Sequence, residues 1–305
     1  MIMKYAIVGT GAIGGLYGAM LANAGEEVHF LLNSDYAIVK EEGLHVISEV
    51  FSNIHLDKVN AYQHAADMPV CDVILVCLKT TSNESVLPSL VQPLLHDGSV
   101  IILIQNGLGV EADVAAQFPG TGVAGATALI SVNKVGPGQM HHLDYGDLEI
   151  GNFNIEDAGM IDRVVAAFDR TGLIAKKAED LNTLRWRKLV WNITFNGMCV
   201  VLNTTADKLL ADRATYNLSK EIMHEVILGA NACGALLPEA MVYDMLQFTI
   251  AMRPYAPSMK LDYDAGRPME LRYIYENPVA MAKAAGYYMS KVDMLLQQLL
   301  FLSKY

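Results

Sequence analysis

Positive charge is scarce in this 305-residue chain, in which 22 lysines and arginines stand against 33 aspartates and glutamates for a formal net charge of -11. Binding to nucleic-acid phosphates or to an anionic membrane surface requires a surplus of basic side chains. The composition therefore argues against non-specific binding of either, and we expect no nucleic acid and no membrane among the partners. An anionic ligand must be held by locally placed positive groups.

Cysteine is also scarce, with four residues far apart in sequence: Cys71, Cys77, Cys199 and Cys233. They form no CxxC pair and no metal-ligand spacing, so we expect no metal site. Long apolar runs are lacking too, because Gly, Asn or charge interrupts each one before the ~18–20 residues of a membrane-spanning helix. Thiols placed in apolar runs and the lack of a signal-peptide pattern predict a cytoplasmic protein.

Glycine, in contrast, is concentrated near the start of the chain. The apolar run Tyr5–Val8 predicts a buried parallel strand, and the pattern G-x-G-x-x-G follows at once over Gly9–Gly14. An apolar helical stripe continues to Ala24, and Val28–Leu32 predicts a second strand. Strand, glycine turn, helix and strand within ~30 residues are typical of a dinucleotide-binding βαβ unit.

Each glycine of this fingerprint has a physical role. Gly9 permits the tight turn, Gly11 lets the backbone approach a pyrophosphate, and Gly14 allows close packing of helix on strand. The free N–H groups of the helix N-terminus then face the phosphates. The predicted cofactor-binding residues of this turn are Gly9, Thr10, Gly11, Ala12, Ile13 and Gly14.

Cofactor choice depends on the residues after the second strand, which are Asn33, Ser34 and Asp35. An acidic residue there holds the ribose diol of NAD, whereas a basic or hydroxyl-bearing residue suits the 2′-phosphate of NADP. Asn33 and Ser34 can bind a phosphate without repelling it, and Asp35 would favour the diol if it reached the ribose. We predict NADP, with NAD as the alternative.

The strand–helix alternation continues through the first half of the chain. Val70–Leu78 and Val100–Ile104 predict two more buried strands, followed by Lys79 and by Asn106. Ligands bind beyond the carboxyl ends of parallel strands, so both side chains are candidates for cofactor contacts. The alternatives are a solvated lysine and a turn-forming Asn-Gly.

The first domain is expected to end with less regular elements. We expect turns at residues 136–138 and 144–146 flanking two short antiparallel strands, Gln139–His142 and Leu148–Ile150. A helix over 155–168 and a last strand over 173–175 follow, and the remaining pattern is helical. The sequence predicts an α/β chain: a Rossmann-type doubly wound parallel sheet in residues 1–177, then an all-helical domain in residues 178–305.

The helical half opens with a helix that is apolar around most of its surface, and its polar residues fall on one stripe. At about 100° per residue, Lys188, Asn192 and Asn196 align, and Asn203 returns to this face if the helix persists. Such groups are costly inside an apolar helix unless they have partners. A ligand is one such partner; backbone contacts for the amides and a lysine reaching solvent are the alternative.

The combined motifs resemble the ketopantoate reductases (2-dehydropantoate 2-reductases) over nearly the whole chain. They are, in order, Gly9–Gly14, Leu78-Lys79-Thr80, Gln105-Asn106-Gly107, Trp186-Arg187-Lys188 with Asn192 and Asn196, Ser258-Met259, Asp262, and Ala265-Gly266-Arg267-Pro268 with Glu270. Taken alone, Ser258 suits a helix N-cap and Glu270 the first turn of a helix, so that segment identifies a site only through the resemblance.

The resemblance implies NADPH-dependent reduction of a 2-oxo acid to a 2-hydroxy acid in a cleft between a Rossmann domain and a helical domain. In this family the residue matching Lys188 is the general acid, and those matching Asn192 and Asn196 hold the substrate. The residues matching Ser258 and Glu270 line the site, and those matching Lys79 and Asn106 contact the cofactor or the active site. Glu270 is also able to accept a hydrogen bond from a substrate hydroxyl or to hold the lysine.

Several positions depart from the family pattern. Asn33 replaces the usual arginine after the second strand, which weakens the NADP prediction; the other changes are at Ala206, Met269, Leu271, Arg272 and Tyr287-Tyr288-Met289. The changed positions other than Asn33 lie around the substrate end of the site that the resemblance implies. Another 2-oxo acid is therefore an alternative to ketopantoate. Other hydroxy-acid or opine-type dehydrogenases and a non-catalytic NADP(H)-sensing regulator are also alternatives.

The closing helix is amphipathic, with Val292, Leu295, Leu296, Leu299 and Leu300 on one side. This face would cover either a core or the subunit interface of a homodimer, and the core is the simpler interpretation. The sequence does not choose between them.

Overall fold

The first elements form the predicted βαβ unit. Lys4–Val8 is strand β1, Ala12–Asn23 is helix α1, and Glu27–Leu31 is strand β2, paired in parallel with β1. Tyr5–Val8 is fully buried, which explains why the run is apolar on both faces. The computed structural model describes residues 3–254 and 256–304.

The chain divides into two compact units. Unit 1 comprises Met1–Gln105 and Val110–Leu181, and unit 2 comprises Asn106–Gly109 and Asn182–Tyr305. Residues 106–109 belong to unit 2 because Leu108 is bonded to it twice. The Leu108 amide donates to Tyr273 O at 2.8 Å, and Asn277 Nδ2 donates to Leu108 O at 2.9 Å. The boundary expected from the sequence, after residue 177, is four residues from the end of unit 1.

Unit 1 is built on one mixed sheet. Its remaining strands are β3 (Leu44–Ser48), β4 (Ile54–Leu56), β5 (Asn60–Tyr62), β6 (Val73–Val76), β7 (Val100–Leu103), β8 (Gly122–Gly136), β9 (Gln139–Asn152) and β10 (Ala175–Lys177). The strand order is β4-β3-β9-β8-β7-β6-β1-β2-β5, and β10 pairs with β9. The six strands from β8 to β5 are mutually parallel, as in a Rossmann-type sheet.

Helices and short turns connect these strands. The helices are α2 (Tyr36–Glu42), α3 (Asn83–Val91), α4 (Val110–Gln117) and α5 (Met160–Asp169), and 3₁₀ turns occur at Ala65–Asp67, Thr80–Ser82 and Gln92–Leu94. α1 and α5 contribute to one apolar core with the strands, in which the Tyr17 and Phe168 rings meet edge-to-face. The parallel strands are therefore held by burial on their faces as well as by hydrogen bonds.

The expectation of two short strands at 139–142 and 148–150 was wrong. Both belong to the single long strand β9, which pairs antiparallel with β8. The register shifts between Leu129 and Ile130 because Tyr145 (φ 61°) and Gly146 (φ 137°) form an irregularity within the strand. A glycine with positive φ serves a bulge as well as a turn, so the local sequence did not distinguish them.

All regular secondary structure in the described residues of unit 2 is helical. Its helices are α6 (Leu181–Trp191), α7 (Gly197–Val201), α8 (Ala206–Ala211), α9 (Arg213–Ala232), α10 (Met241–Ala251), α11 (Ser258–Asp264), α12 (Asn277–Ala284) and α13 (Ser290–Leu302). They surround a second apolar core that includes Trp186, Phe195 and Ile227. The buried face of α13 joins this core through Val292, Leu295, Leu296 and Leu299.

Two π-helical segments interrupt these helices, at Asn192–Asn196 and at Arg272–Glu276. The first separates α6 from α7, so the α-helix expected to run unbroken past Lys188 widens for one turn. The helical region ends soon after, and Asn203 is exposed with φ 47°. Asn203 therefore does not return to the stripe of Lys188. Apolar spacing does not distinguish i→i+4 from i→i+5 bonding over so short a segment.

Candidate functional site

The glycine turn of unit 1 has the geometry that a dinucleotide phosphate requires. Gly9 has φ 99°, and a Cβ at Gly14 would lie 2.3 Å from the Gly9 carbonyl oxygen, so neither position accommodates another residue without rearrangement. Apart from neighbouring backbone, a Cβ at Gly11 would meet no atom of the described residues within 4 Å. Open space at the second glycine and close packing at the third fit the roles expected for a pyrophosphate-binding turn.

The first turn of α1 presents backbone donors at this position. The N-cap is Gly11, and no side chain in the described part of the chain caps the helix. Thr10 Oγ1 donates to Leu31 O at 2.9 Å, and this hydrogen bond links the turn to the end of β2. Free N–H groups at a helix start attract anions. The residues present therefore fit the phosphates of a dinucleotide cofactor.

The polar residues that follow β2, after Leu32, differ in accessibility. Asn33 and Ser34 are exposed, whereas Asp35 is buried. The Asp35 carboxylate accepts from Ser34 Oγ at 3.1 Å and from the Gly138 amide at 2.9 Å, and it pairs with Lys134 Nζ at 2.6 Å. These contacts already engage the carboxylate that would otherwise select a ribose diol.

The carboxyl ends of β6 and β7 are joined by a buried pair of amides. Asn83 Nδ2 donates to Gln105 Oε1 at 3.0 Å, and Gln105 Nε2 donates to Asn83 Oδ1 at 2.9 Å and to Leu78 O at 2.8 Å. Lys79 follows Leu78 directly and is exposed. Asn83 was not predicted from the sequence, because its partner is 22 residues away. The pair fixes the backbone from which Lys79 projects.

Lys188 lies in the last turn of α6 and is partly exposed. Desolvation by surrounding protein lowers the pKa of its ammonium from 10.5 to about 8. A lysine with such a pKa exchanges its proton near neutral pH, which an ordinary lysine does not. This is the property required of a lysine that acts as a general acid.

The two asparagines that follow have different surroundings. Asn192 is buried, and its Nδ2 donates to Asn106 Oδ1 at 3.3 Å. Asn196 is 1% exposed, and among the described residues neither its Nδ2 nor its Oδ1 has a hydrogen-bond partner. A buried amide without partners destabilises a fold by about 1–3 kcal/mol. Such a group is expected where a ligand supplies the missing bonds.

Tyr275 connects the two π-helical segments. Its ring is fully buried, and its hydroxyl donates to Ile193 O at 2.9 Å. Gly197 leaves room for this hydroxyl, because a Cβ there would lie 2.7 Å from it. Widened turns of this kind are frequent at functional sites. Tyr275 was missed in the sequence because it resembles any other core aromatic residue.

The remaining predicted residues lie on neighbouring elements of unit 2. Ser258 is the first residue of α11, whose N-cap is Pro257, so the serine does not cap the helix. Glu270 is buried and immediately precedes Leu271, the N-cap of the second π-helical segment. Both α11 and that segment pack against the first π-helical segment.

Within residues 3–254 and 256–304, no cluster of three or more His, Cys, Asp or Glu side chains has the arrangement of a metal site. In the same residues no helix is both long and apolar enough to span a membrane.

Two family models match this chain. The model described as "Ketopantoate reductase PanE/ApbA" matches residues 5–154, and "Ketopantoate reductase PanE/ApbA C terminal" matches residues 180–303. A 2-dehydropantoate 2-reductase of Nostoc sp. is 43% identical over 304 residues, which cover 98% of this chain and 95% of the relative.

Solved structures are also similar to this chain. The 2-dehydropantoate 2-reductase of Geobacter metallireducens is 39% identical, with a TM-score of 0.93 and coverage of 97% of this chain and 99% of that one. A D-mandelate dehydrogenase with NADH and anilino(oxo)acetate is 21% identical, with a TM-score of 0.87 and coverage of 99% and 98%. At this identity the second likeness shows the fold alone.

Proposed function

The chain belongs to the ketopantoate reductase family, and from that premise we propose that it reduces ketopantoate or a close 2-oxo acid to the 2-hydroxy acid, with NADPH as cofactor and Lys188 as general acid. The observation that carries this proposal is the arrangement on α6 and the segment after it. A lysine with a pKa of about 8 is followed one turn later by Asn192 and then by Asn196, whose amide has no hydrogen-bond partner among the residues that the structure describes.

Lys188 has two tasks in this reaction. A reduced nicotinamide, when bound, would supply the hydride, and the keto oxygen would gain negative charge as the carbonyl carbon is reduced. The Lys188 ammonium stabilises that charge and then donates its proton to the oxygen. The lowered pKa makes the proton easier to transfer, and the neutral amine is reprotonated from solvent afterwards.

Neutral amides suit an anionic substrate. Asn192 and Asn196 donate N–H groups to the carboxylate and hydroxyl groups of the substrate without adding charge. Because the Asn196 amide is buried, the substrate reaches it only after neighbouring side chains move. Ser258 supplies a further hydroxyl, and Glu270 accepts from a substrate hydroxyl or orients Lys188.

The cofactor is assigned to the glycine turn and the strand ends. Gly9–Gly14 hold the pyrophosphate, and Asn33 meets the adenosine end beyond β2. Lys79 and Asn106, together with Glu270, contact the remainder of the cofactor. The engagement of Asp35 by Lys134 and Gly138 supports NADPH over NADH, since that carboxylate is not available to a ribose diol.

Turnover measurements test the proposal directly. We expect the protein to oxidise NADPH in the presence of ketopantoate, and more slowly with smaller 2-oxo acids. The Michaelis constant for NADPH should be roughly tenfold or more below that for NADH, because a 2′-phosphate gains charge-assisted hydrogen bonds. A preference for NADH would contradict the cofactor assignment. Binding of NADPH without turnover on any 2-oxo acid would contradict the enzymatic function and favour a sensor of NADP(H).

The rate of reduction should depend on pH through Lys188. The ammonium is the proton donor, so kcat/KM should fall as pH rises through about 8 and approach a tenfold loss per pH unit above it. Oxidation of the 2-hydroxy acid requires the neutral amine, so its rate should rise across the same range. Initial rates in both directions between pH 6.5 and 9.5 provide this test. Profiles that are flat across pH 8 would show that Lys188 does not transfer the proton.

A further inference from the structure

The segment after β2 carries a charge pair that the proposed reaction does not use. Asp35, 5% exposed, pairs with Lys134 Nζ at 2.6 Å. Burial acts to raise the pKa of Asp35, but hydrogen bonds from Lys134 and from the Gly138 amide outweigh it, and the net shift is downward. The Asp35 carboxylate is therefore ionised at neutral pH, and Lys134 Nζ is held against it beside the expected adenosine end of the cofactor.

The hairpin that carries Lys134 is anchored to two helices. Gly138, in the β8–β9 turn, lies against α2, since a Cβ there would be 2.9 Å from Val39 Cγ2 and 3.0 Å from Gly43 O. Met140, the strand partner of Lys134, packs against α1, because a Cβ at Gly15 would be 2.7 Å from its sulfur. Lys134 therefore has a fixed position relative to the glycine turn and to the residues after β2.

The side chain of Lys134 remains accessible, with 34% of its surface exposed. An ammonium has three N–H donors, and the Asp35 contact occupies one. Ser34 Oγ donates to the other oxygen of the same carboxylate, so the exposed hydroxyl and the ammonium flank one carboxylate group. The Asp35 carboxylate therefore brings one cation and one hydroxyl together, and the exposed Asn33 precedes Ser34 in the chain.

We propose that Lys134 determines cofactor specificity by pairing with the 2′-phosphate of NADP(H), and that Asp35 is a positioning residue that orients the ammonium. This inference rests on the proposed function. An exposed Asn33 supplies no charge, so a phosphate there requires a cation from elsewhere, and Lys134 meets that need. In a chain with a net charge of -11, a local cation is required to offset the surrounding field.

The test compares two nucleotides that differ only by the 2′-phosphate: adenosine 2′,5′-bisphosphate and adenosine 5′-monophosphate. Calorimetry on the full chain should show tighter binding of the bisphosphate. Lys134→Met should reduce that preference roughly tenfold or more, with little effect on the monophosphate. Lys134→Arg should retain most of it, because the charge remains.

Two further variants keep the outcome interpretable. Lys176→Met removes an exposed lysine elsewhere in unit 1 and should leave both affinities unchanged. Since Lys134→Met leaves Asp35 buried without its cation, the double variant Asp35→Asn/Lys134→Met provides a folded comparison if the single variant is unstable, and it should also lose the preference.

A preference that survives in the folded Lys134→Met protein or in the double variant would overturn the proposal and assign Lys134 to neutralising Asp35 alone. Equal binding of the two nucleotides by the unaltered protein would overturn it as well, together with the choice of NADPH. The proposed reductase function is tested by a separate measurement, the turnover of 2-oxo acids by the unaltered protein with either cofactor. Loss of turnover there would contradict the function but not the role of Lys134 in binding the 2′-phosphate.

Discussion

Lys188→Met is expected to lower kcat for 2-oxo acid reduction by about 10²–10⁴-fold, the usual contribution of a positioned acid or base. Methionine keeps the length and apolar stem of the side chain but removes both the proton and the charge. The variant should still bind NADPH, which is measured by nicotinamide fluorescence, because the cofactor is assigned to the glycine turn of unit 1. Single-turnover reduction of ketopantoate then isolates the loss in the chemical step.

Folding should not account for this loss. Desolvation penalises the Lys188 ammonium in the native state, so removing the charge should leave the protein at least as stable to thermal unfolding. Lys208→Met is a matched control, because Lys208 is an exposed lysine on α8 of the same unit and should retain full activity. A Lys188→Met protein with most of its turnover would falsify the assignment of the general acid.

Asn196→Leu should move stability and activity in opposite directions. Leucine has the branching of asparagine but no polar atoms, so it removes two buried polar groups that have no hydrogen-bond partner within residues 3–254 and 256–304. The free energy of unfolding should rise by about 1 kcal/mol, which corresponds to roughly 2–4 °C in Tm. The substrate loses a hydrogen-bond donor, so its Michaelis constant should rise by about 10–100-fold. Thermal unfolding and steady-state kinetics on one preparation measure both effects.

Asn83→Leu provides the matched control for this substitution. Asn83 is a buried asparagine, but its amide exchanges two hydrogen bonds with Gln105. The same replacement there should lower the free energy of unfolding by about 1–3 kcal/mol. If Asn196→Leu destabilised the protein to a similar extent, the Asn196 amide would be a structural group rather than one reserved for a ligand.

The features that local sequence predicted are those decided by short-range sterics. Gly9 and Gly14 are required by a backbone turn and by an atom 2.3 Å from a would-be Cβ, both within six residues. The run Tyr5–Val8 is apolar because both faces of its strand are covered. The spacing of Lys188, Asn192 and Asn196 was also visible, because polar residues are conspicuous in an apolar helix.

The features that sequence did not predict depend on distant partners or on small differences in helix geometry. The contact of Asn192 with Asn106 joins residues 86 positions apart, and that of Asp35 with Gly138 joins residues 103 positions apart. The π-helical segments depend on bonding patterns that the spacing of apolar residues does not encode. The Tyr275 hydroxyl finds its acceptor, Ile193 O, in the first of these segments, so its contact also was not visible in the sequence.

The π-helical segment at Asn192–Asn196 also has an evolutionary meaning. Its i→i+5 bonding accommodates one more residue than an α-helical turn, so it is equivalent to a single-residue insertion within a continuous helix. Deleting one residue there would restore an unbroken α-helix with the faces on either side kept in place, whereas the same extra residue wound into a regular α-helix would rotate everything after it by about 100° relative to Lys188. Related chains aligned through this region should be compared with their gaps placed inside the segment, because a gap set elsewhere would match Asn196 with a residue from another face of the helix.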